Sequence, residues 1–266
     1  MKDINKLVIS GGAANVYYIL GALDILYGNG KLNNINCYAG ASIGAMVSIL
    51  LSIGWNPRRI ADEMSEISSN GVEWNYSQFL NILINFSKGS IIDIKPYEEY
   101  IDKLFKKEGI TTMMELYNKT NKEVIISTSN LDTYLPEYIT YKTDPKLPVK
   151  EALLMSMSIP FCFETRKYNG HQYCDGAILG GFPMDNNENT LGIWLKDYDS
   201  KNLFHKIIIA VLRNSYNNIT NKDNIIVIKK DNNEVFLKAD IQQQLSMFNS
   251  GQNQILPQLV NIFKND

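Results

Sequence analysis

The chain has 266 residues, of which 45% are hydrophobic and 20% are charged, enough for one globular domain spanning residues 1–266. Its net charge of −2 and its pI of about 5.8 leave no basic footprint, which argues against a nucleic-acid partner. The amino terminus lacks the apolar core of a signal peptide, and no apolar run is long enough to cross a bilayer, so we expect a cytoplasmic protein that is not secreted.

The cysteines and potential metal ligands carry little chemical signal. Cys37, Cys162 and Cys174 have neither a C-x-x-C spacing nor an even count, which is typical of reduced cysteines in a cytosolic protein. No group of Asp, His and Cys residues has the spacing of a metal-binding motif. The sequence therefore predicts no metal and no cofactor.

The first predicted elements are a strand at Leu7–Ile9, a glycine-rich loop and a helix with an apolar stripe over 16–27. The loop lacks the Gly-Lys-Ser/Thr of a P-loop and the G-x-G-x-x-G of a dinucleotide fingerprint. Bare N–H groups in such a loop suit an anion. We therefore interpret Gly11, Gly12 and Ala13 as a candidate oxyanion hole.

The next motif is G-x-S-x-G, which runs from Gly40 through Ser42 to Gly44. It follows a predicted strand at Ile35–Tyr38 and precedes a predicted amphipathic helix, whose buried stripe comprises Ile43, Met46, Val47, Leu50 and Leu51. At a strand-to-helix turn this pattern is typical of a nucleophile elbow, which exposes the serine hydroxyl above the sheet. The plainer alternative is a tight turn whose serine caps the helix with its side chain.

The middle of the chain contains a segment at Trp74–Phe86 that is crowded with aromatic and aliphatic residues. It fits a lid or lipid-facing helix as well as a buried helix, and an exposed apolar patch would favour the first interpretation. Around it the sequence predicts helices at Tyr97–Lys106 and Lys150–Met157, and strands at Val124–Ser127 and Glu137–Tyr141.

An Asn-Gly pair at residues 169–170 interrupts the strand-like run Tyr168–Cys174, which predicts a two-residue hairpin turn. Asp175 follows at the end of the second strand, and Gly176 comes directly after it. A carboxylate at that position can reach across the rim of a sheet. The alternative for an isolated Asp-Gly is an Asx turn in an ordinary loop.

Three further strands are predicted at Gly192–Trp194, Lys206–Leu212 and Asn224–Lys229. Two amphipathic helices then close the chain, and we expect both to pack on the sheet. Their apolar stripes are Leu237, Ile241, Leu245 and Phe248 for the first helix, and Ile255, Leu259, Ile262 and Phe263 for the second.

Taken in order, the glycine-rich loop, the G-x-S-x-G motif and the downstream Asp-Gly-Ala resemble the patatin-like phospholipases. Two further segments, 127–133 and 151–161, resemble that family's "T-N-L-D-T" and "A-S-x-A-I-P" motifs. The resemblance covers about residues 5–195, with C-terminal strands and helices over 200–266. It implies a layered α/β fold in which helices flank a mainly parallel central sheet.

The resemblance also implies a serine–aspartate dyad, with Ser42 as the nucleophile and Asp175 as the general base. It implies a lipid-ester substrate, a phospholipase A or lysophospholipase type of reaction, and peripheral contact with membranes. Because no metal-binding motif is present, we expect the reaction not to need calcium. A free aspartate has a pKa of about 3.9 and is a weak base, so the site must be partly dry. Glycines 40, 44 and 176 would shape the elbow and the Asp-Gly turn.

A histidine base is the rival interpretation, because Ser42, Asp175 and His205 follow the chain order of α/β-hydrolase triads. Only about two strands fit before Ser42, fewer than that fold normally has, and His205 lies at the expected entrance of a strand. His171 lies four residues before Asp175 on the same predicted strand, about 13 Å away. The sequence therefore favours the dyad.

The glycine loop departs from the family pattern Gly-Gly-Gly-x-Arg/Lys-Gly. Ala13 stands for the third glycine, Asn15 for the basic residue and Val16 for the last glycine. An alanine preserves the N–H donors only if its position does not require a positive φ. A catalytically weak or inactive protein that binds lipid or a partner is therefore the alternative function.

Overall fold

The computed structural model describes residues 3–70, 95–160, 162–185, 187–196, 219, 222–231 and 238–263. The predicted segment Trp74–Phe86, the predicted strand Lys206–Leu212 and His205 lie outside these residues. The described strands are β1 Lys6–Ile9, β2 Cys37–Ala41, β3 Glu123–Asn130, β4 Leu135–Ile139, β5 Arg166–Tyr168, β6 His171–Asp175, β7 Thr190–Lys196 and β8 Ile225–Lys229. The described helices are α1 Val16–Gly28, α2 Ile43–Ser52, α3 Pro57–Asn70, α4 Lys95–Lys107, α5 Met113–Thr120, α6 Val149–Met157 and α7 Ile241–Phe263, with a 3-10 turn at Ala13–Asn15.

The eight described strands form one mixed sheet in the order β5-β6-β3-β2-β1-β7-β8, and β4 pairs with β3 off this path. The pairs β1–β2, β1–β7, β2–β3 and β7–β8 are parallel, whereas β3–β4, β3–β6 and β5–β6 are antiparallel. The predicted α/β class with a mainly parallel sheet flanked by helices is therefore confirmed.

The two faces of the sheet are covered differently because side chains alternate along each strand. Leu7 and Ile9 of β1 join the large core under the helices. Val8, from the other face of the same strand, joins a smaller cluster in which the rings of Phe182 and Trp194 meet edge to face at 5.2 Å. The loop that follows β6 therefore helps to cover the second face.

Helix α2 differs from the prediction of an amphipathic helix with one buried stripe. Every residue from Gly44 to Ser52 is buried, including Ser48 and Ser52. The helix packs against β1, β2 and β3 on one side and against α3 and α6 elsewhere. A helix surrounded in this way has no solvent face, so the elbow at its start is fixed inside the core.

Strand β2 begins at Cys37 instead of Ile35 and continues through Gly40 and Ala41. The predicted bounds followed the apolar run, but pairing with β1 and β3 on both sides keeps the small residues in the sheet. Strand β4 likewise ends at Ile139, before the predicted end at Tyr141. At the predicted hairpin, Asn169 and Gly170 have φ values of 48° and 84°, as a type I′ turn requires.

A single helix, α7, replaces the two predicted C-terminal helices. Gly251 and Pro257 suggest a break in the sequence, but both lie inside α7. A Cβ on Gly251 would collide with the backbone of Tyr18, and one on Gly21 would collide with that of Phe248. These glycines therefore let α1 and α7 approach closely. Among the described residues, no helix is long and apolar enough to cross a membrane.

Candidate active site

The pairing register of β3 brings the ends of two other strands together. Ala41, the last residue of β2, pairs with Ser127, and Asp175, the last residue of β6, pairs with Thr128. Strand β4 occupies the opposite edge of β3 along this whole stretch. Strands β2 and β6 therefore share one edge of β3 and meet head to head, which sets Ser42 beside Asp175.

Ser42 occupies a strained turn between β2 and α2. Its φ is 55° and its ψ is −130°, a conformation that L-residues rarely adopt. Its side chain makes no capping hydrogen bond to the helix, although Ser42 is the residue at the N-cap position. The capping alternative is therefore wrong. Ser42 is 6% exposed. Strain at a non-glycine residue of this kind is a common feature of functional sites.

The two glycines of the elbow permit very close backbone packing. A Cβ on Gly40 would lie 2.5 Å from the carbonyl of Gly44, and one on Gly44 would lie 2.5 Å from the carbonyl oxygens of Ile9 and Ser10. Because no side chain fits, the start of α2 lies directly against the end of β1. The elbow is thereby held next to the glycine-rich loop.

Asp175 is 2% exposed, so its carboxylate is almost completely removed from water. Its Oδ1 accepts a 2.9 Å hydrogen bond from the N–H of Ala177, which is the Asx turn considered from the sequence. Its Oδ2 has no hydrogen-bond partner among the described residues. One oxygen thus shapes the turn, and the other remains available to accept a proton.

Burial raises the pKa of Asp175 to about 6, and the Ser42 hydroxyl and the Ala177 N–H oppose part of that shift. The hydroxyl is therefore near enough to stabilise the carboxylate, although the two groups do not complete a regular hydrogen bond. Such contacts are often loose before substrate binds. A carboxylate with a pKa near 6 is a stronger base than an exposed aspartate and is still ionised at neutral pH.

One buried serine hydroxyl and two backbone carbonyls hold the Asp175 turn, and the sequence alone did not indicate these contacts. The Ser129 hydroxyl donates to the Asp175 carbonyl at 2.8 Å, and the Asp175 N–H donates to the Ser158 carbonyl at 2.9 Å. The Gly176 N–H donates to the Ser156 carbonyl at 3.2 Å. Ser129 and Ser156 lie within the two family-like segments, which was the available signal.

The glycine-rich loop lies beside the elbow, since a Cβ on Gly11 would be 3.4 Å from that of Ser42. The N–H groups of Gly11, Gly12 and Ala13 donate no hydrogen bond to the described part of the chain. Ala13 has a φ of 48°, so this position does adopt the backbone conformation that favours glycine. The Asn15 side chain donates to the Gly12 carbonyl at 3.2 Å and so fixes the loop.

A cavity of about 110 Å³ opens next to Ser42. Its walls are mainly apolar and come from the loop, α1, α2, α3, α4 and α6. Its residues include Ala13, Val16, Met46, Leu154, Met157 and Phe163. Such a lining suits a hydrocarbon chain better than a polar ligand. Met157 lines the cavity, whereas Met155 of the same helix belongs to the buried core.

Comparisons with known proteins show the family and the fold of this chain. The sequence profile described as "Patatin-like phospholipase" matches residues 7–186, more than half of the chain. The chain belongs to the patatin-like phospholipase family. Membership in this family supports a lipid ester hydrolase activity.

This patatin-like chain is similar to the "Probable lipid hydrolase 463L" of Invertebrate iridescent virus 6. The two are 27% identical over 272 residues, which cover 94% of this chain and 87% of the viral protein. Among solved structures, VipD from Legionella pneumophila is similar with a TM-score of 0.62 and 16% identity, over 97% of this chain and 67% of VipD. The ExoU–SpcU complex of Pseudomonas aeruginosa gives a TM-score of 0.54 at 16% identity, over 99% of this chain and 52% of that one. These two structures share the fold.

The histidine in the described part of this patatin-like chain lies away from the dyad. His171, at the far end of β6 from Asp175, faces Asp132 with 3.5 Å between Nδ1 and Oδ2. Its side chain is 47% exposed, so it belongs to the protein surface. The described residues contain no group of three or more His, Cys, Asp or Glu side chains that could hold a metal ion.

Proposed function

We propose that this patatin-like protein hydrolyses a fatty-acyl ester of a phospholipid, lysophospholipid or related lipid through a Ser42–Asp175 dyad. The observation that carries the proposal is the head-to-head meeting of β2 and β6. This arrangement sets the Ser42 hydroxyl, which does not cap α2, beside Asp175 Oδ2, which is buried and has no hydrogen-bond partner among the described residues. The apolar cavity next to Ser42 would hold the acyl chain.

In the first half-reaction, Ser42 Oγ attacks the ester carbonyl while its proton passes to Asp175 Oδ2. The N–H groups of Gly11, Gly12 and Ala13 stabilise the oxyanion of the tetrahedral intermediate. The C–O bond to the alcohol then breaks, Asp175 returns the proton to the leaving alkoxide, and an acyl ester of Ser42 remains. In the second half-reaction Asp175 takes a proton from water while the water oxygen attacks the carbonyl of that ester. The bond between the acyl carbon and Ser42 Oγ then breaks, Asp175 returns the proton to Oγ, and the fatty acid leaves.

The raised pKa of Asp175 supports the role of a general base, because burial makes the carboxylate more basic. No step in this scheme needs a metal, so we expect hydrolysis to continue in the presence of a calcium chelator. Contact with a lipid surface is part of the proposal, since the substrate resides there.

Labelling with a fluorophosphonate, followed by mapping of the modified peptide, tests the proposal. We expect the wild-type protein to be labelled on Ser42, Ser42→Ala to be unlabelled, and Asp175→Asn to react at least about 10³-fold more slowly. Ser48→Ala is a matched control, because Ser48 is a buried serine of α2 whose hydroxyl has no described partner. It should be labelled like the wild type.

The alternative is a patatin-fold protein that binds lipid or a partner without turnover. The positive φ of Ala13 favours it, because strain in the oxyanion loop weakens the site that must hold the intermediate. A folded wild-type protein that the fluorophosphonate does not label would replace the hydrolase proposal with this one. Labelling that persists in Ser42→Ala would contradict the assignment of the nucleophile.

A further inference from the structure

Ser156, the penultimate residue of α6, accepts hydrogen bonds from the backbone of Ser42 and from that of Gly176, the residue after Asp175. Its Oγ accepts the N–H of Ser42 at 2.8 Å. The same hydroxyl donates to the carbonyl of Ser127 at 2.6 Å. Its own carbonyl accepts the N–H of Gly176, the residue after Asp175, at 3.2 Å. Ser156 is completely buried, so water cannot substitute for these contacts.

The direction of these bonds is fixed by the chemistry of a hydroxyl group, which has one proton to donate. That proton is directed to the Ser127 carbonyl, which leaves a lone pair of Ser156 to receive the Ser42 N–H. The N–H of the nucleophile itself is therefore occupied. It is not a donor for the oxyanion, and that task falls to the N–H groups of the neighbouring glycine-rich loop.

The hydrogen bond from Ser42 to the Ser156 hydroxyl is made by the residue whose backbone is strained. A φ of 55° and a ψ of −130° persist at a non-glycine residue only when the surroundings hold the backbone in place. On the N-terminal side of Ser42, the sheet holds Ala41 against Ser127. The hydroxyl of Ser156 then links that same Ser127 to the N–H of Ser42, so the strand end and the turn share one anchor.

We propose that Ser156 is a positioning residue that sets the separation between Ser42 Oγ and Asp175. Its hydroxyl holds the strained turn of Ser42, and its carbonyl holds the turn that follows Asp175. The inference rests on the function proposed above, because it concerns the geometry of that dyad. Ser156 does not touch the reacting atoms, and its effect is transmitted through the backbones of Ser42 and Gly176.

Ser158 provides a matched control two residues away. It is also completely buried, and it follows the last residue of α6. Its hydroxyl donates to the Leu154 carbonyl of that helix at 2.7 Å. Its link to the Asp175 turn is made by its backbone carbonyl, which an alanine substitution keeps. Ser158→Ala therefore removes one buried hydroxyl and leaves the contacts of Ser156 with Ser42 and Gly176 in place.

The experiment compares wild type, Ser156→Ala, Ser156→Thr and Ser158→Ala for kcat and KM on a soluble chromogenic ester and for the rate of fluorophosphonate labelling. A misplaced nucleophile loses rate without losing ground-state binding. We expect Ser156→Ala to lower kcat and the labelling rate by about 30- to 100-fold, with KM within about twofold of wild type. Ser158→Ala should retain wild-type kcat, and Ser156→Thr, which keeps the hydroxyl, should recover most of the loss.

A second measurement separates this inference from the proposed function. Hydrogen exchange of the peptide that contains Ser42 should be faster in Ser156→Ala than in wild type and unchanged in Ser158→Ala, because only the first variant frees the Ser42 N–H. Equal kcat in the two alanine variants, or equal exchange at this peptide, would overturn the positioning role. A wild type that is not labelled would overturn the hydrolase instead, and the exchange comparison would still decide whether Ser156 holds the turn.

Discussion

Two strand-to-helix turns lie side by side at the carboxyl ends of the parallel strands β1 and β2. Each turn contains a non-glycine residue with a positive φ. Ser42 follows β2 with a φ of 55°, and Ala13 follows β1 with a φ of 48°. The elbow around Ser42 is buried and held by contacts distant in sequence, from the end of β1 and from Ser156. The loop around Ala13 is partly exposed and is held by local bonds between Asn15 and Gly12.

The comparison indicates that similar backbone strain has different origins in the two turns. At Ser42 the strain accompanies a side chain that the proposed chemistry requires, and the surrounding packing enforces it. At Ala13 a methyl group occupies a position where the family pattern has glycine, and no catalytic use of that methyl group is evident. Substitutions should therefore damage the first turn severely and could improve the second.

The largest effect is expected at the elbow. Gly44→Ala would set a methyl group 2.5 Å from two backbone carbonyl oxygens, so α2 must move away from β1. We expect a loss of about 3 kcal/mol in the free energy of unfolding or more, and at least about a 100-fold loss of activity. Chemical denaturation and ester hydrolysis measure the two effects.

Gly28→Ala is the control for that variant, because a Cβ there meets no atom within 4 Å and Gly28 lies in a helix. It should stabilise the protein by about 0.5–1 kcal/mol without changing activity. A Gly44→Ala protein as stable as Gly28→Ala would show that the elbow is much less tightly packed than described.

The next effect is the pH dependence of hydrolysis. The base acts when Asp175 is ionised, and burial raises its pKa to about 6. We therefore expect kcat/KM to be constant at alkaline pH and to fall about tenfold for each pH unit below about 6. A midpoint near 4 would indicate an aspartate that remains exposed to water.

Histidines as a class titrate near pH 6.5, so this profile needs a control. His171→Gln and His205→Gln should both retain the wild-type midpoint if Asp175 is the base. Loss of activity in His205→Gln would instead support a Ser42–Asp175–His205 triad. The two variants thus separate the carboxylate from both histidines of the chain.

A smaller effect concerns stability. Because the pKa of Asp175 rises from 3.8 to about 6 on folding, the folded state binds its proton more tightly than the unfolded state does. Stability from this group is complete below about pH 3.8 and is lost as pH rises through 6. The ionised carboxylate therefore costs about 3 kcal/mol at neutral pH.

Asp175→Asn should remove that cost while its amide oxygen still accepts the Ala177 N–H. We expect the difference in the free energy of unfolding between the variant and the wild type to grow in favour of the variant by up to about 3 kcal/mol from pH 4 to pH 8. Denaturation at each pH measures this difference. Asp132→Asn, at the exposed partner of His171, is the control and should show a much smaller change. A difference that does not vary with pH would contradict the raised pKa.

The elbow and the hairpin could be predicted because their signals are local. Gly40, Gly44 and the Asn169-Gly170 pair each encode a backbone conformation within a few residues. The register that joins β2 and β6 on one edge of β3 could not be predicted, because it depends on pairing between segments more than 40 residues apart. The role of Ser156 was hidden for the same reason.

The C-terminal helix was mispredicted for a related reason. Gly251 looks like a helix end in the sequence, but its missing side chain makes room for α1, and that contact exists only in the folded protein. The full burial of α2 has the same origin, since serines at 48 and 52 suggest a polar face until the helix is surrounded. In both cases tertiary packing overrode the local pattern.

The smallest effect is expected at the glycine-rich loop. Ala13→Gly restores the third glycine of the family pattern. It removes the cost of a left-handed alanine, roughly 1–2 kcal/mol, but adds roughly 0.5–1 kcal/mol for the greater freedom of the unfolded chain. We expect a net gain of about 0.5–1 kcal/mol by denaturation and a modest rise in kcat. Ala14→Gly is the matched control, because Ala14 does not have a positive φ, and it should lose stability. If both variants lose stability equally, Ala13 is not strained and the contrast between the two turns disappears.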